Sequence, residues 1–186
     1  SLFAEVLQQP SFDAGEFAKR RRLTLAAIQR QEDDLDRMVF KLFRKTLYEK
    51  HPYRMDTLGT MESVKSLTRE DLKEYYSKMA VPENMVLTVV GDIETKQVVF
   101  ATQKAFGDLK RRDFPSPPVP LESPLPQMRR SENYQKKEQA HFVLGFLGTT
   151  FRDKDRCALE VLDAALSGQG GRLFYQLRDK ESLAYA

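Results

Sequence analysis

Apolar residues recur at intervals of three and four in the first part of the chain, a pattern typical of amphipathic helices. One such stripe predicts a helix from residue 16 to about 31, and a second predicts a helix from residue 35 to 47. The second helix should stop before His51-Pro52, because the residue that precedes a proline is pushed out of the helical region. The chain therefore opens with two helices that each bury one face.

Local start signals extend this helical pattern. Thr68 and Asp71 have the spacing of a capping box, in which each side chain binds a backbone N–H of the other residue, and they predict a helix that runs to about Met79. Similar apolar patterns predict further helices at residues 95–106, 155–166 and 172–180.

Two apolar runs have the composition of strands. Residues 85–90 are rich in β-branched side chains and predict a strand covered on both faces, and residues 140–147 predict another. A sheet needs more than two strands to be stable. Either weaker strands lie near residues 1–9 and 128–137, or the chain is cut from something longer that completes the sheet.

Six prolines between residues 114 and 126 permit neither a helix nor a central strand. They predict a semi-rigid linker that crosses a surface. The predicted organisation is thus one module portion at 1–113, a linker at 114–126 and a second portion at 127–186.

Composition and charge narrow the function classes. The 30 basic and 27 acidic side chains give a net charge of +3, and the basic run at 19–22 is interpreted as a solvated helix face and not as a nucleic-acid site. No apolar run approaches the roughly 18 residues of a membrane span. We expect a soluble chain whose compartment, cytoplasmic or periplasmic, stays open, because the single Cys157 suits either redox environment.

The sequence lacks the motifs of self-contained catalysis. It contains no HxxEH zinc motif, and its two histidines, His51 and His141, lie far apart in a turn and in an apolar run. We therefore predict no metal ligands and no catalytic residues in this chain.

Several segments taken in order resemble the pitrilysin/insulinase family of zinc metallopeptidases, which includes the mitochondrial processing peptidases. The resemblance covers nearly the whole chain and is most specific at its end. The segments are FAKRRRLTLAAI (17–28), LYEKHPYRMDTLG (47–59), LTREDLKEYY (67–76), PENMVLTVVGD (82–92), LGFLG (144–148) and GRLFYQLRDKESLAYA (171–186).

The resemblance implies an α+β fold, in which helices pack on one face of a mainly antiparallel sheet, and the shortage of strands suggests the hypothesis that one module is assembled here from two half-modules. Family modules that bind zinc take a third ligand, a glutamate, from a helix similar to residues 17–28. Ala27 stands at that position, and an alanine cannot bind a metal. The parent module is therefore interpreted as degenerate, with zinc held by a partner catalytic half.

The family also implies a substrate clamp made of an arginine and a tyrosine, which match Arg178 and Tyr185. A glycine-rich loop linked to substrate contact matches Gly168, Gly170 and Gly171, for which a helix C-cap and turn is the structural alternative. For Arg178 and Tyr185 the alternatives are a surface ion pair and a partly buried core residue.

These features predict a non-catalytic, substrate-clamping and chamber-forming part of a zinc-dependent endopeptidase that acts on peptides or unfolded proteins. Its expected partners are a peptide substrate and a catalytic zinc-binding half, on the same chain or on a partner subunit. Two alternatives stay open: a purely structural subunit of the same family, and a truncated piece of an active zinc protease.

Overall fold

A computed structural model of the chain describes residues 2–114, 116 and 118–183, which divide into two compact units, Ser1–Leu144 and Gly145–Ala186. The first unit contains helices α1 (Leu2–Gln8), α2 (Ala14–Asp33), α3 (Leu35–Leu47), α4 (Met61–Ser66), α5 (Arg69–Met79) and α6 (Thr95–Phe106). One-turn 3-10 helices lie at Pro52–Arg54 and Pro82–Asn84. The second unit contains α7 (Arg156–Leu166) and α8 (Arg172–Phe174), which continues as a π-helical turn, Tyr175–Lys180.

Helices α2 and α3 pack against each other and confirm the two helices predicted from the first apolar stripes. Their starts are set by aspartates, because an N-cap carboxylate accepts a backbone N–H that the helix leaves unpaired. Asp13 accepts from the N–H of Glu16 at 2.9 Å, and Asp34 accepts from that of Arg37 at 3.1 Å. Ile28 and Leu47 are 2% and 5% exposed and belong to the small apolar core of this unit.

The predicted capping box at the start of α5 is confirmed. The hydroxyl of Thr68 accepts from the N–H of Asp71 at 3.1 Å, and the Asp71 carboxylate accepts from the N–H of Thr68 at 2.7 Å. The Thr68 hydroxyl also donates to the Asp71 carboxylate at 2.6 Å, and this bond, followed by the one from the Thr68 N–H, lowers the pKa of Asp71 below its ordinary value. Helix α4, which the apolar pattern did not predict, starts with the same device made by Thr60 and Ser63.

Of the two alternatives offered for completing the sheet, a weak strand near residues 1–9 is wrong, because Leu2–Gln8 forms helix α1. A helix of this length is marginal by itself, and tertiary contacts support it. The ring of Phe3 packs edge-on against Phe106 of α6 with centroids 6.1 Å apart. The hydroxyl of Tyr76 on α5 donates to the carbonyl of Leu7 at 2.8 Å.

The predicted mainly antiparallel sheet is also wrong, and with it the assembly of one sheet from two half-modules. Within residues 2–114, 116 and 118–183 no residue lies in a β-strand, including the candidates at 85–90, 128–137 and 140–147. The predicted cover on both faces of 85–90 fails as well, since Val86 and Val90 are 94% and 93% exposed. Apolar, β-branched composition favours an extended backbone, but a strand also needs a neighbour whose backbone accepts its hydrogen bonds.

The described residues of the segment 114–126 contain no helix and no strand, as their proline content predicts. Among the helices that the structure describes, none combines the length and apolar character needed to cross a bilayer.

Candidate functional site

The glycine-rich loop connects α7 to α8 in the second unit. Gly168 has a φ of +73°, a conformation that side chains other than glycine rarely adopt, and its carbonyl accepts from the N–H of Gly171 at 3.1 Å. A Cβ at Gly171 would lie 2.1 Å from the carbonyl oxygen of Ser167, whereas a Cβ at Gly170 would meet nothing within 4 Å. The turn itself thus explains Gly168 and Gly171, but no local contact explains Gly170.

Helix α8 begins immediately after this loop, and the N–H of Tyr175 donates to the carbonyl of Gly171 at 3.2 Å. The helix then widens into the π-helical turn Tyr175–Lys180, a rare conformation that is often found at functional sites. It ends where Ser182 takes a positive φ of 52° and the N–H of Leu183 donates to the carbonyl of Leu177 at 2.8 Å. The predicted helix at 172–180 is therefore confirmed, with a change of helical type inside it.

The predicted substrate-binding residue Arg178 lies in the π-helical turn. Its guanidinium carbon lies 4.7 Å from the ring centroid of Phe174, a cation–π contact between residues four apart. The side chain of Arg178 is half-buried, whereas its neighbours Asp179 and Lys180 are exposed. The ammonium of Lys180 contacts the ring of Tyr175 at 5.0 Å. The two cations of this turn are thus each placed beside an aromatic ring.

Tyr185, the second predicted clamp residue, lies outside the described residues, so the geometry joining it to Arg178 stays a prediction. Phe174 was not predicted to have a role. Its spacing of four residues from Arg178 is the sequence signal that could have identified it, because residues four apart share one face of a helix.

The helix predicted to have lost a metal ligand is α2. Ala27 lies on it next to the buried Ile28, and its methyl group has no atom that could bind zinc. Arg21 belongs to the basic run at residues 19–22 of the same helix. Its guanidinium contacts the ring of Phe17 at 5.3 Å and donates to the carbonyl of Leu67 at 3.4 Å. In the described part of the chain, no three His, Cys, Asp or Glu side chains converge as a metal site would need. The residues present do not fit a zinc ion.

The two histidines make local contacts. Nδ1 of His51 accepts from the N–H of Tyr53 at 3.1 Å and starts the 3-10 turn that begins at Pro52. Nδ1 of His141 lies 2.8 Å from a carboxylate oxygen of Asp36 at the start of α3.

Comparison with known proteins identifies the family. Residues 66–186 match the peptidase M16 inactive domain. The chain is 29% identical over 189 residues to the zinc protease PqqE of Helicobacter pylori, covering 98% of this chain and 42% of that protein. It is 25% identical over 157 residues to the mitochondrial-processing peptidase subunit beta of Saccharomyces cerevisiae, covering 83% of this chain and 34% of that subunit.

The backbone is similar to that of a solved peptidase M16 inactive domain from Pseudomonas fluorescens, with a TM-score of 0.77 and 22% identity, over 100% of this chain and 45% of that one. The chain thus spans less than half the length of the relatives that it matches. The family match includes the glycine-rich loop, Phe174 and Arg178. The resemblance to the zinc metallopeptidases is confirmed: relatives of the chain are named zinc proteases, and the chain belongs to the peptidase M16 inactive domain family.

Proposed function

We propose that this chain forms part of the substrate chamber of a zinc-dependent endopeptidase and binds the peptide substrate through Arg178. The observation that carries the proposal is the guanidinium of Arg178, which lies beside the ring of Phe174 just after the glycine-rich loop. Zinc belongs to the family, and in this proposal a separate catalytic half holds it.

The chemistry of Arg178 suits a peptide ligand. A guanidinium is always charged and presents several N–H donors in one plane, so it can donate to a peptide carbonyl and to negative charge that develops on its oxygen. An aromatic ring that packs against the face of a guanidinium restrains the arginine side chain, and it does not cover the N–H donors, which lie along the edge of the guanidinium plane. Phe174 therefore reduces the conformational entropy that Arg178 would lose when substrate binds.

The glycine-rich loop supports the same function. The space where a Gly170 side chain would stand is open, and the backbone of a glycine lets another main chain approach closely. We include Gly168 and Gly171 in the proposed contact surface because they shape the turn that places Gly170. Tyr185 completes the proposed clamp as a second hydrogen-bond donor.

The catalytic half is either on the same polypeptide or on a partner subunit. One relative is, by its name, a subunit of a processing peptidase, which supports an arrangement that divides one peptidase among several modules. The proposed substrate class is peptides or unfolded proteins.

The test measures peptide hydrolysis by the full-length protein together with its zinc-binding half. We expect Arg178→Gln to lower kcat/KM by about 100-fold or more, because the loss of one donor to a developing oxyanion typically has an effect of that size. Lys180→Gln is the matched control: it removes a cation that also lies beside a ring, two residues away.

Zinc content and thermal stability should not change in either variant. Equal activities of Arg178→Gln, Lys180→Gln and the unmodified protein would contradict the clamp and favour a purely structural module. Tyr185→Phe tests the second donor in the same assay.

A further inference from the structure

The segment that follows most of the prolines, residues 122–141, lies along helix α3, and we call it the strap. Its contacts follow a regular order. Glu122 contacts residues 50 and 51, which lie beyond the C-terminal end of α3, and Arg129 contacts Thr46 in the last turn of the helix. Further along the strap, Gln135 contacts Met38, and His141 contacts Asp36 in the first turn of the helix. Residue numbers rise along the strap as they fall along the helix, so the strap runs antiparallel to α3.

The strongest attachments are at the C-terminal end of the helix. The carboxylate of Glu122 accepts from the backbone N–H groups of Lys50 and His51 at 2.5 and 2.6 Å. The guanidinium of Arg129 donates to the carbonyl of Thr46 at 3.2 Å and pairs with Glu49 at 2.7 Å. A cation near the last carbonyls of a helix donates hydrogen bonds to acceptors that the helix leaves unpaired, and it interacts favourably with the negative end of the helix dipole. The strap thus acts as a C-terminal cap for α3.

The middle of the strap is longer than the stretch of helix that it spans. Asp36 and Thr46 are about 15 Å apart along the helix axis at 1.5 Å per residue, whereas the residues from Arg129 to His141 could extend to about 40 Å. A surface cavity of about 330 Å³ lies between the strap and the helices, lined by Asn133 and Gln135 of the strap and by residues of α2 and α3. Chain length therefore does not hold the strap in place; its side-chain attachments do.

These attachments are of a kind that opens readily. No side chain of the strap is buried, although the structure describes all of its residues. On the helix side, the Asp36 and Glu49 side chains are 76% and 63% exposed. Segments with few buried apolar contacts and exposed hydrogen bonds open at low free energy while the rest of a protein stays folded.

We propose that residues 122–141 are a releasable strap, attached to α3 and to the turn after it by Glu122, Arg129 and His141, and that its release uncovers α3 and the cavity beside it. Glu122 is the principal attachment, because it alone binds two backbone N–H groups of the turn after α3. This inference is independent of the proposed peptidase function.

The test is hydrogen–deuterium exchange of the 186-residue chain and of the variant Glu122→Ala. We expect the amides of Lys50 and His51 to exchange about tenfold faster or more in the variant, because each loses a hydrogen bond to a charged acceptor. Strap peptides should also exchange faster, whereas α5 and α7 should not change. Glu132→Ala is the matched control, since this strap carboxylate pairs with Arg130 of the strap itself. Equal exchange in both variants would overturn the proposal.

A cross-linking test avoids dependence on the stability of the Glu122 variant. In a Cys157→Ser background, the pair Met38→Cys and Gln135→Cys should be joined rapidly by a short bismaleimide cross-linker, because the tips of the two native side chains are in contact at 3.1 Å. The pair Met38→Cys and Lys136→Cys should cross-link much more slowly, since Lys136 is exposed whereas Gln135 is half-buried against the helix. Equal cross-linking of both pairs would show that the strap is not docked in this register.

Discussion

At the scale of single residues, the three glycines of the loop differ in what they require. Gly168 needs glycine for its positive φ, Gly171 needs it because the carbonyls of Leu166 and Ser167 lie too close for a Cβ, and Gly170 has open space around it. The sequence places all three in one motif and cannot separate them, because their roles depend on backbone angles and on atoms that the turn brings near. This difference makes the loop testable at two neighbouring positions.

We expect Gly171→Ala to lower the stability of the second unit by about 1–3 kcal/mol, the range for overpacking against atoms that do not move easily. The methyl group would lie 2.1 Å from the carbonyl oxygen of Ser167, so the backbone must shift. Gly170→Ala is the matched control and should stay within about 0.5 kcal/mol, as surface substitutions usually do. Thermal unfolding followed by circular dichroism measures both, and a larger loss in Gly170→Ala would refute the geometry of the turn.

At the scale of elements, the helices follow their local signals closely. The start of α5 at its capping box and the end of α3 before Pro52 were both predicted. The π-helical turn was not, because its hydrogen-bond pattern differs from that of an α-helix by one residue and leaves no distinct apolar period. One of the two alternatives for completing the sheet placed a weak strand at 128–137, yet Arg129 and Gln135 attach this segment to α3 instead.

Thr68→Ala removes the N-cap of α5 and should lower the free energy of unfolding by about 1 kcal/mol, the usual effect of losing an N-cap hydroxyl. Ser77→Ala removes a hydroxyl from the last turn of the same helix, where it donates to the carbonyl of Glu74 at 2.8 Å. This control should be neutral or stabilising, because alanine is the better helix former. The midpoints of chemical unfolding of the two variants measure the effect of each substitution on stability. Equal losses of stability in both variants would mean that the cap does not stabilise the unit.

The strap should detach in acid. Backbone N–H groups, first that of His51 and then that of Lys50, lower the pKa of Glu122 below its ordinary value of 4.5, and Arg129 acts in the same direction. A carboxyl whose pKa is lower in the docked state stabilises that state above its ordinary pKa and ceases to do so as the pH falls through the lowered value. Proton uptake by Glu122 therefore accompanies release.

Exchange of the Lys50 and His51 amides, corrected for the intrinsic pH dependence of exchange, should increase relative to α6 as the pH falls below 4.5, because α6 has no carboxylate cap that titrates with it. Glu122→Gln should remove most of this pH dependence, because an amide does not titrate there. If the variant and the unmodified chain keep the same profile, another group controls the strap. Glu49 and His51 also face this site, so the profile of Glu49→Gln identifies any contribution from the neighbouring carboxylate.

At the scale of the whole molecule, the family was predictable and the fold class was not. The resemblance rested on ordered motifs, and the family match at residues 66–186 confirmed it. The expected antiparallel sheet failed, because residues 85–90 and 140–147 have strand composition but no paired neighbour in the described part of the chain. Two compact units form, Ser1–Leu144 and Gly145–Ala186, and the predicted module boundaries at 113 and 127 stay a prediction.

Ala27 gives a prediction about metal binding at this scale. Calorimetric titration of the 186-residue chain with Zn²⁺ should give no tight one-to-one binding, because the resemblance implies that the glutamate ligand of zinc-binding modules is replaced by Ala27 of α2, whose methyl group cannot bind a metal. His51→Gln and His141→Gln serve as controls that identify weak binding by single imidazoles. A stoichiometric transition that persists in both variants would contradict the interpretation of the module as degenerate.

The sequence by itself determined the helices with clear start signals, the missing HxxEH motif, the alanine at position 27 and the family. These features are local: a helix satisfies its hydrogen bonds within four residues, and a motif is read along the chain. Only the tertiary structure decided that Leu2–Gln8 is a helix, that the strand-like segments stay unpaired, that Arg178 lies beside Phe174 and that the strap runs along α3. Strand pairing and docking depend on neighbours distant in sequence, which periodicity and composition do not specify.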